Sequence, residues 1–187
     1  MLEDSSKSKI IKILGLVGSP RLGGNTDLLI EKILEGSKSN GYSTEKLFLY
    51  DYTISLCTDC QSCKKGDYVC CINDEMQKIY PKMVEANVII FGTPLYWFGP
   101  TAKMKMLIDR LRPFEKNKKL EGKKAIVVTP SADGPIACGP LIDMFQLIFN
   151  YLKMKFTTKI LVTAYEKGEI AQNKPEMDKA YELGRTL

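Results

Sequence analysis

Cys57, Cys60 and Cys63 stand at strict three-residue spacing, and Cys70-Cys71 follows at once. Four thiols fall within fourteen residues, in a chain of 187 that contains no histidine. Soft thiolates this closely spaced form an all-sulfur donor set, which suits an iron–sulfur cluster better than other common metal centres. Structural zinc is a weaker reading, because zinc sites usually present two separated Cys-x2-4-Cys pairs. Thiols without any ligand are the third. The missing histidine removes Ser-His-Asp and Cys-His nucleophilic sites and Cys2His2 zinc sites. Any proton chemistry must therefore use Tyr, Lys, Asp, Glu, water or a cofactor.

A second chemical segment is Gly18-Ser19-Pro20-Arg21-Leu22-Gly23-Gly24-Asn25-Thr26, at the end of an apolar run and the start of a helical one. Glycines and small residues let backbone amides approach an anion. Ser19, Asn25 and Thr26 add side-chain donors, Arg21 a charged fork, and the helix start a partial positive charge. The segment lacks the Gly-Lys-Ser/Thr ending of a triphosphatase loop and is not Gly-x-Gly-x-x-Gly. An ordinary turn capped by Asn25 is the plain alternative, but the three glycines, the arginine and the polar residues exceed what a cap requires. A third segment, Gly92-Thr93-Pro94-Leu95-Tyr96-Trp97-Phe98-Gly99-Pro100, places three aromatics in a row. Such rings are costly to leave in water and can border a planar ligand or a second subunit. Pro100 suits the first position of the helix that follows.

These segments need a scaffold, and apolar periodicity supplies one. Strand-like runs occur at Ile10–Val17, Thr44–Leu49, Val88–Phe91, Ala125–Thr129 and Thr158–Val162. Their starts lie roughly 35 residues apart, the length of a βα unit. Helical faces run through Leu29–Leu34, Met76–Val84, Met104–Leu111 and Leu141–Leu152. A last helix is expected from Pro175 onward. The pattern predicts an α/β three-layer sandwich with a five-stranded parallel sheet, in a single domain over 1–187, with ligands beyond the carboxyl ends of the strands. The stretch 51–73 is one long irregular loop carrying the cysteines, and such loops are usually functional or disordered.

The formal charge of +5 comes mostly from lysine and is densest across Lys116–Lys124. Without aromatic interleaving or a recognised module this reads as a solvated edge, not a nucleic-acid surface. There is no membrane-length apolar run, and the start, Met1–Lys9, is polar and mixed in charge rather than a leader. Clustered thiols in such a chain point to a reducing, cytoplasmic setting. Cys138 alone fits a scattered buried thiol.

Gly18-Ser19-Pro20-Arg21 with Gly24-Asn25-Thr26 resembles the FMN-phosphate loop of the NAD(P)H-dependent FMN reductases, a flavodoxin-like family. Cys57-x2-Cys60-x2-Cys63-x6-Cys70, followed by Asp74-Glu75-Met76, resembles the motif of its iron–sulfur flavoprotein branch. The resemblance runs from Ile11 to Leu187. It implies FMN held at its phosphate by Ser19, Arg21, Gly23, Gly24, Asn25 and Thr26, with Pro94, Leu95, Tyr96, Trp97 and Phe98 lining the ring. Lys103, Ile108, Asp109 and Arg110 also match, the last two read as structural. The loop Thr129–Gly134, beyond the fourth strand, is expected to touch the flavin through its backbone and Ser131. The resemblance aligns Cys70 as fourth ligand of a 4Fe–4S cluster, with Cys71 as the alternative, and makes Asp59, Asp67 and Asp74 neighbouring charges that lower its potential. It implies a ferredoxin or other acidic redox partner, which a basic surface would attract, and a homo-oligomer, dimer or tetramer. The competing readings are an NAD(P)H-dependent FMN or quinone reductase without metal, and a flavin-binding regulatory protein.

Overall fold

The computed structural model describes residues 10–187; the polar start Met1–Lys9 and the leader question lie outside the described residues. Five strands form one sheet: β1 Lys12–Val17, β2 Ser43–Phe48, β3 Val88–Gly92, β4 Lys124–Ser131 and β5 Lys155–Thr163. Every neighbouring pair is parallel and the order is β2-β1-β3-β4-β5. The central strands are buried on both faces, so they read as unbroken apolar runs; all of Val-Ile-Ile-Phe-Gly in β3 is buried. The strand order reverses between β1 and β3, and at such a switch point the loops leaving the sheet diverge and open a crevice.

Among the described residues the α-helices are α1 Asn25–Ser39, α2 Met76–Glu85, α3 Ala102–Asp109, α4 Arg112–Asn117, α5 Gly139–Tyr151 and α6 Lys174–Arg185. Alternation along the strands splits the core in two. Ile13, Val17, Val88, Ile90, Ile126 and Val128 pack under α1 and α6. Leu14, Leu16, Ile89, Phe91, Ala125 and Val127 pack under α2 to α5, where Phe91, Phe145 and Phe149 meet ring to ring. α1 and α6 touch backbone to backbone: a Cβ at Gly36 would lie 2.0 Å from the Tyr181 carbonyl oxygen, and one at Gly184 1.9 Å from that of Ile33.

Three local expectations change. β5 starts at Lys155 rather than Thr158, because an edge strand alternates exposed and half-buried residues and shows no apolar run at its start. Pro100 precedes the helix instead of opening it. Thr101 is the N-cap of α3, accepting the Met104 N–H at 3.2 Å while its hydroxyl donates to Gly18 O. The single helical period over 104–111 breaks at Arg110-Leu111, after which α4 begins with Pro113 in its first turn. The stretch 51–73 is irregular apart from short 3-10 turns at Leu49–Asp51 and Ser62–Lys64. Among the described residues no helix is long and apolar enough to cross a membrane.

Candidate functional site

Beyond the carboxyl ends of the strands lies a cleft lined by Ser19, Arg21, Asn25, Thr26, Pro94, Leu95, Tyr96, Pro130, Ser131, Ala132, Ala164 and Tyr165. The loops after β1, β3, β4 and β5 all contribute, as the sheet order dictates. On one side stands the start of α1. Its N-cap is Gly24, not Asn25, and no side chain caps it. Asn25, Thr26 and Asp27 in the first turn are nevertheless buried. A buried helix start without caps leaves N–H groups for a ligand and favours an anion.

Several predicted donors serve the scaffold as well. Asn25 Nδ2 donates to Glu166 O at 2.9 Å and its Oδ1 accepts the Ile170 N–H at 3.1 Å, so the carboxamide ties α1 to the segment after β5. Arg21 Nη1 donates to Tyr165 O at 2.9 Å, leaving the rest of its fork. Ser19 Oγ accepts the Arg21 N–H at 3.2 Å and keeps its own proton to donate. Glu169 holds the Tyr165 and Glu166 amides, each at 2.8 Å, and so fixes the far wall. Ala164 and Tyr165 were not anticipated from sequence. Their signal is positional only: they follow the last strand of the sheet.

On the opposite side, Thr93 N–H bonds to Val128 O and Leu95 N–H to Pro130 O, holding the aromatic loop beside β4. Tyr96 and Gly99 then exchange both backbone hydrogen bonds, at 2.9 and 3.0 Å. The two residues between them, Trp97 at φ 49° and Phe98 at φ 60°, form a tight turn in the left-handed region. Pro94, Leu95 and Tyr96 therefore line the cavity, whereas Trp97 projects from the tip, 96% exposed, with Phe98 beside it. Gly23 and Gly24 shape the phosphate-type loop without lining the cavity; Gly23 holds φ 68° and donates its N–H to Asp27.

The cysteine loop lies against α2 and α4. Cys57, Cys60 and Cys71 are exposed, Cys63 and Cys70 half-buried, and Cys138 buried elsewhere. Cys60 and Cys71 bring their sulfurs within 3.4 Å. Hydrogen bonding with Ser62, and then with Cys71, pulls the Cys60 thiol down to about 7. Burial, followed by the charges of Cys70, Cys57 and Cys60, pushes the Cys63 thiol up. The four predicted ligands are thus neighbours, but among the described residues no three Cys, Asp or Glu side chains converge on a common point. By donor chemistry the set fits an iron–sulfur cluster. Asp59, Gln61 and Tyr68 hold positive φ in this loop, a costly backbone state for side-chain-bearing residues. Asp74, expected from sequence to be a negative charge near the cluster that lowers its potential, has its side chain buried in an ion pair with Arg110 at 2.6 Å.

A parallel sheet of this order, with the uncapped start of α1 and an aromatic loop meeting at its switch point, defines a flavodoxin-like protein. Residues 11–166 match the family model described as NADPH-dependent FMN reductase. An iron-sulfur flavoprotein of Methanocaldococcus jannaschii is 39% identical over 126 residues, 66% of this chain and 65% of that one. A putative NAD(P)H-dependent FMN-containing oxidoreductase of Bacillus subtilis is 29% identical over 92% of this chain and 96% of its own. The solved NAD(P)H:quinone oxidoreductase from Methanothermobacter marburgensis shares the fold, with TM-score 0.75, 17% identity, and 95% and 98% of the two chains covered. The chain belongs to the NADPH-dependent FMN reductase family, a family of flavin-dependent oxidoreductases, in the branch of the iron-sulfur flavoproteins.

Proposed function

We propose that the chain binds FMN in this cavity and a 4Fe–4S cluster on Cys57, Cys60, Cys63 and Cys70, and passes electrons between them. The observation that carries the reading is the buried, uncapped start of α1 facing Pro94-Leu95-Tyr96 across one cleft at the switch point of the sheet. The first-turn amides, with Ser19 and the free part of the Arg21 fork, would receive the phosphate. Pro94, Leu95 and Tyr96 on one wall, and Pro130, Ser131 and Ala132 on the other, would enclose the ring and exclude water. Bound FMN would supply a centre that exchanges two electrons with a nicotinamide and one at a time with a cluster. The cysteine loop would hold the cluster through thiolates only, with Cys71, whose sulfur already meets that of Cys60, as the alternative to Cys70.

The partners belong to the same reading. The basic surface suits an acidic ferredoxin as electron donor, and the exposed Trp97 and Phe98 suit a homo-oligomeric contact. A second reading, an NAD(P)H-dependent FMN or quinone reductase without metal, is supported by the likeness over nearly the whole chain to the Bacillus subtilis protein named as a putative NAD(P)H-dependent FMN-containing oxidoreductase. Anaerobic purification with iron, sulfide and FMN analysis separates them. Iron and sulfide alongside FMN in the native protein, lost in Cys60→Ala while FMN stays, support the first. FMN without iron, bleached rapidly by NADPH, establishes the second. Native protein that is colourless and takes up no added FMN overturns both.

A further inference from the structure

Five cysteines share the loop, and a four-iron cluster takes four of them. The fifth, Cys71, already touches a candidate ligand: its sulfur lies 3.4 Å from that of Cys60, eleven residues back. Both side chains are exposed and both thiols are free. Bonded to separate irons, two cluster thiolates do not need to touch. A disulfide holds its sulfurs about 2.05 Å apart, so the remaining gap is small.

The backbone fixes this approach from both sides. Cys60 stands between Asp59 at φ 48° and Gln61 at φ 62°, two left-handed residues that turn the chain sharply at the thiol. Gln77, in α2, donates its Nε2 to Cys70 O at 3.2 Å and to Ile72 O at 2.9 Å, gripping the carbonyls on either side of Cys71. The Cys60 thiol donates to Ser62 Oγ at 3.5 Å, and that hydroxyl can in turn donate to a thiolate. The ends of the loop are joined at its base, where Thr53 N–H donates to Glu75 Oε2 at 2.6 Å and Ser55 N–H to Asp74 Oδ2 at 2.7 Å. The two sulfurs therefore meet from anchored segments.

We propose that Cys60 and Cys71 form a peroxide-sensitive dithiol, which closes to a disulfide when the loop carries no metal. The Cys60 sulfur attacks one oxygen of hydrogen peroxide; the O–O bond breaks, Cys60 becomes a sulfenic acid, and the other oxygen leaves as water. The Cys71 sulfur then attacks the Cys60 sulfur; the S–S bond forms, the S–O bond breaks, and a second water leaves. Two thiols and one peroxide give one disulfide and two waters, with both electrons drawn from the sulfurs. An external dithiol reverses the change by exchange. The consequence for metal rests on the reading of Cys57, Cys60, Cys63 and Cys70 as ligands, since the disulfide withdraws Cys60 from that set. Oxidation thus closes an empty loop to metal while sparing Cys60 the irreversible acids.

The test takes the full chain with FMN, metal-free and reduced, and adds an equal amount of hydrogen peroxide without air. Tandem mass spectrometry of the non-reduced digest should find Cys60 linked to Cys71 as the main product. Cys70→Ser should form the same link. Cys71→Ser should lack it and accumulate a dimedone adduct on Cys60. Cadmium, a thiol-seeking probe read by its thiolate absorbance, should lose a thiolate after peroxide and regain it after dithiothreitol and desalting. FMN content should hold throughout. A main link from Cys60 to Cys57, Cys63 or Cys70 overturns the proposal, as does native protein that gives only unlinked dimedone adducts. So does a Cys60 cross-link formed at the native rate in Cys71→Ser, or cadmium binding that the link leaves unaltered. Reduced protein that binds no cadmium fails the ligand reading instead, and the linkage still decides the pair.

Discussion

Cys60 is exposed and its thiol is drawn down to about 7 by Ser62 and then Cys71, so much of it is thiolate at neutral pH. Thiolate is the reactive form. In metal-free, reduced protein, iodoacetamide labelling of Cys60, read by peptide mass spectrometry, should rise through a midpoint near 7. A midpoint at the ordinary value of about 8.5 would remove the Ser62 contact from the account. Asp74 makes the opposite kind of prediction. Burial works against its carboxylate, but hydrogen bonds from Arg110, Ser55 and Met76 outweigh that and hold its carboxyl below the usual range. A depressed acid stabilises the fold above its unfolded value, about 3.9, and loses that contribution as pH falls through the folded value. Asp74→Asn, by stranding Arg110, should cost about 3–5 kcal/mol in urea unfolding at neutral pH. It should also flatten the loss of stability in acid. An unchanged acid limb would show that Asp74 is not its source.

At the level of single elements, the turn holding Trp97 and Phe98 places two bulky residues at positive φ, where glycine would sit without strain. Phe98→Gly should therefore stabilise the isolated subunit by about 1 kcal/mol. Urea unfolding followed by far-UV circular dichroism measures this, since Trp97, the single tryptophan, is exposed in the fold and reports little. A loss of stability would mean that Phe98 is buried against another subunit. The strands and helices were legible because most of their residues obey one period: β3 is apolar throughout, and α2 keeps Met76, Ile79 and Met83 on one buried face. The loops around the cavity were legible where composition marks them, at 18–26 and 93–100. What escaped has no local mark. Arg110 and Asp74 lie 36 residues apart and meet only through the packing of α2 and α3. Tyr165 enters the cavity solely because β5 ends where it does. The outward pose of Trp97 depends on a turn whose residues are poor formers of that turn.

For the molecule as a whole, a ligand that binds the native state alone stabilises it by mass action. FMN at about a hundredfold over its dissociation constant should add about 2.7 kcal/mol, visible as a rise in melting temperature of apoprotein on titration. No shift at any FMN concentration would sink the cavity assignment. Gly36→Ala tests the scaffold apart from the site: the new methyl would press on the Tyr181 carbonyl oxygen, so α1 and α6 must separate and the melting temperature must fall. The bonds that join Thr53 and Ser55 to Asp74 and Glu75 carry one more consequence. Residues 56–73 form an excursion against α2 and α4 whose two stems already meet. A short glycine bridge in their place should leave a yellow, folded protein without its sulfur-bearing appendage.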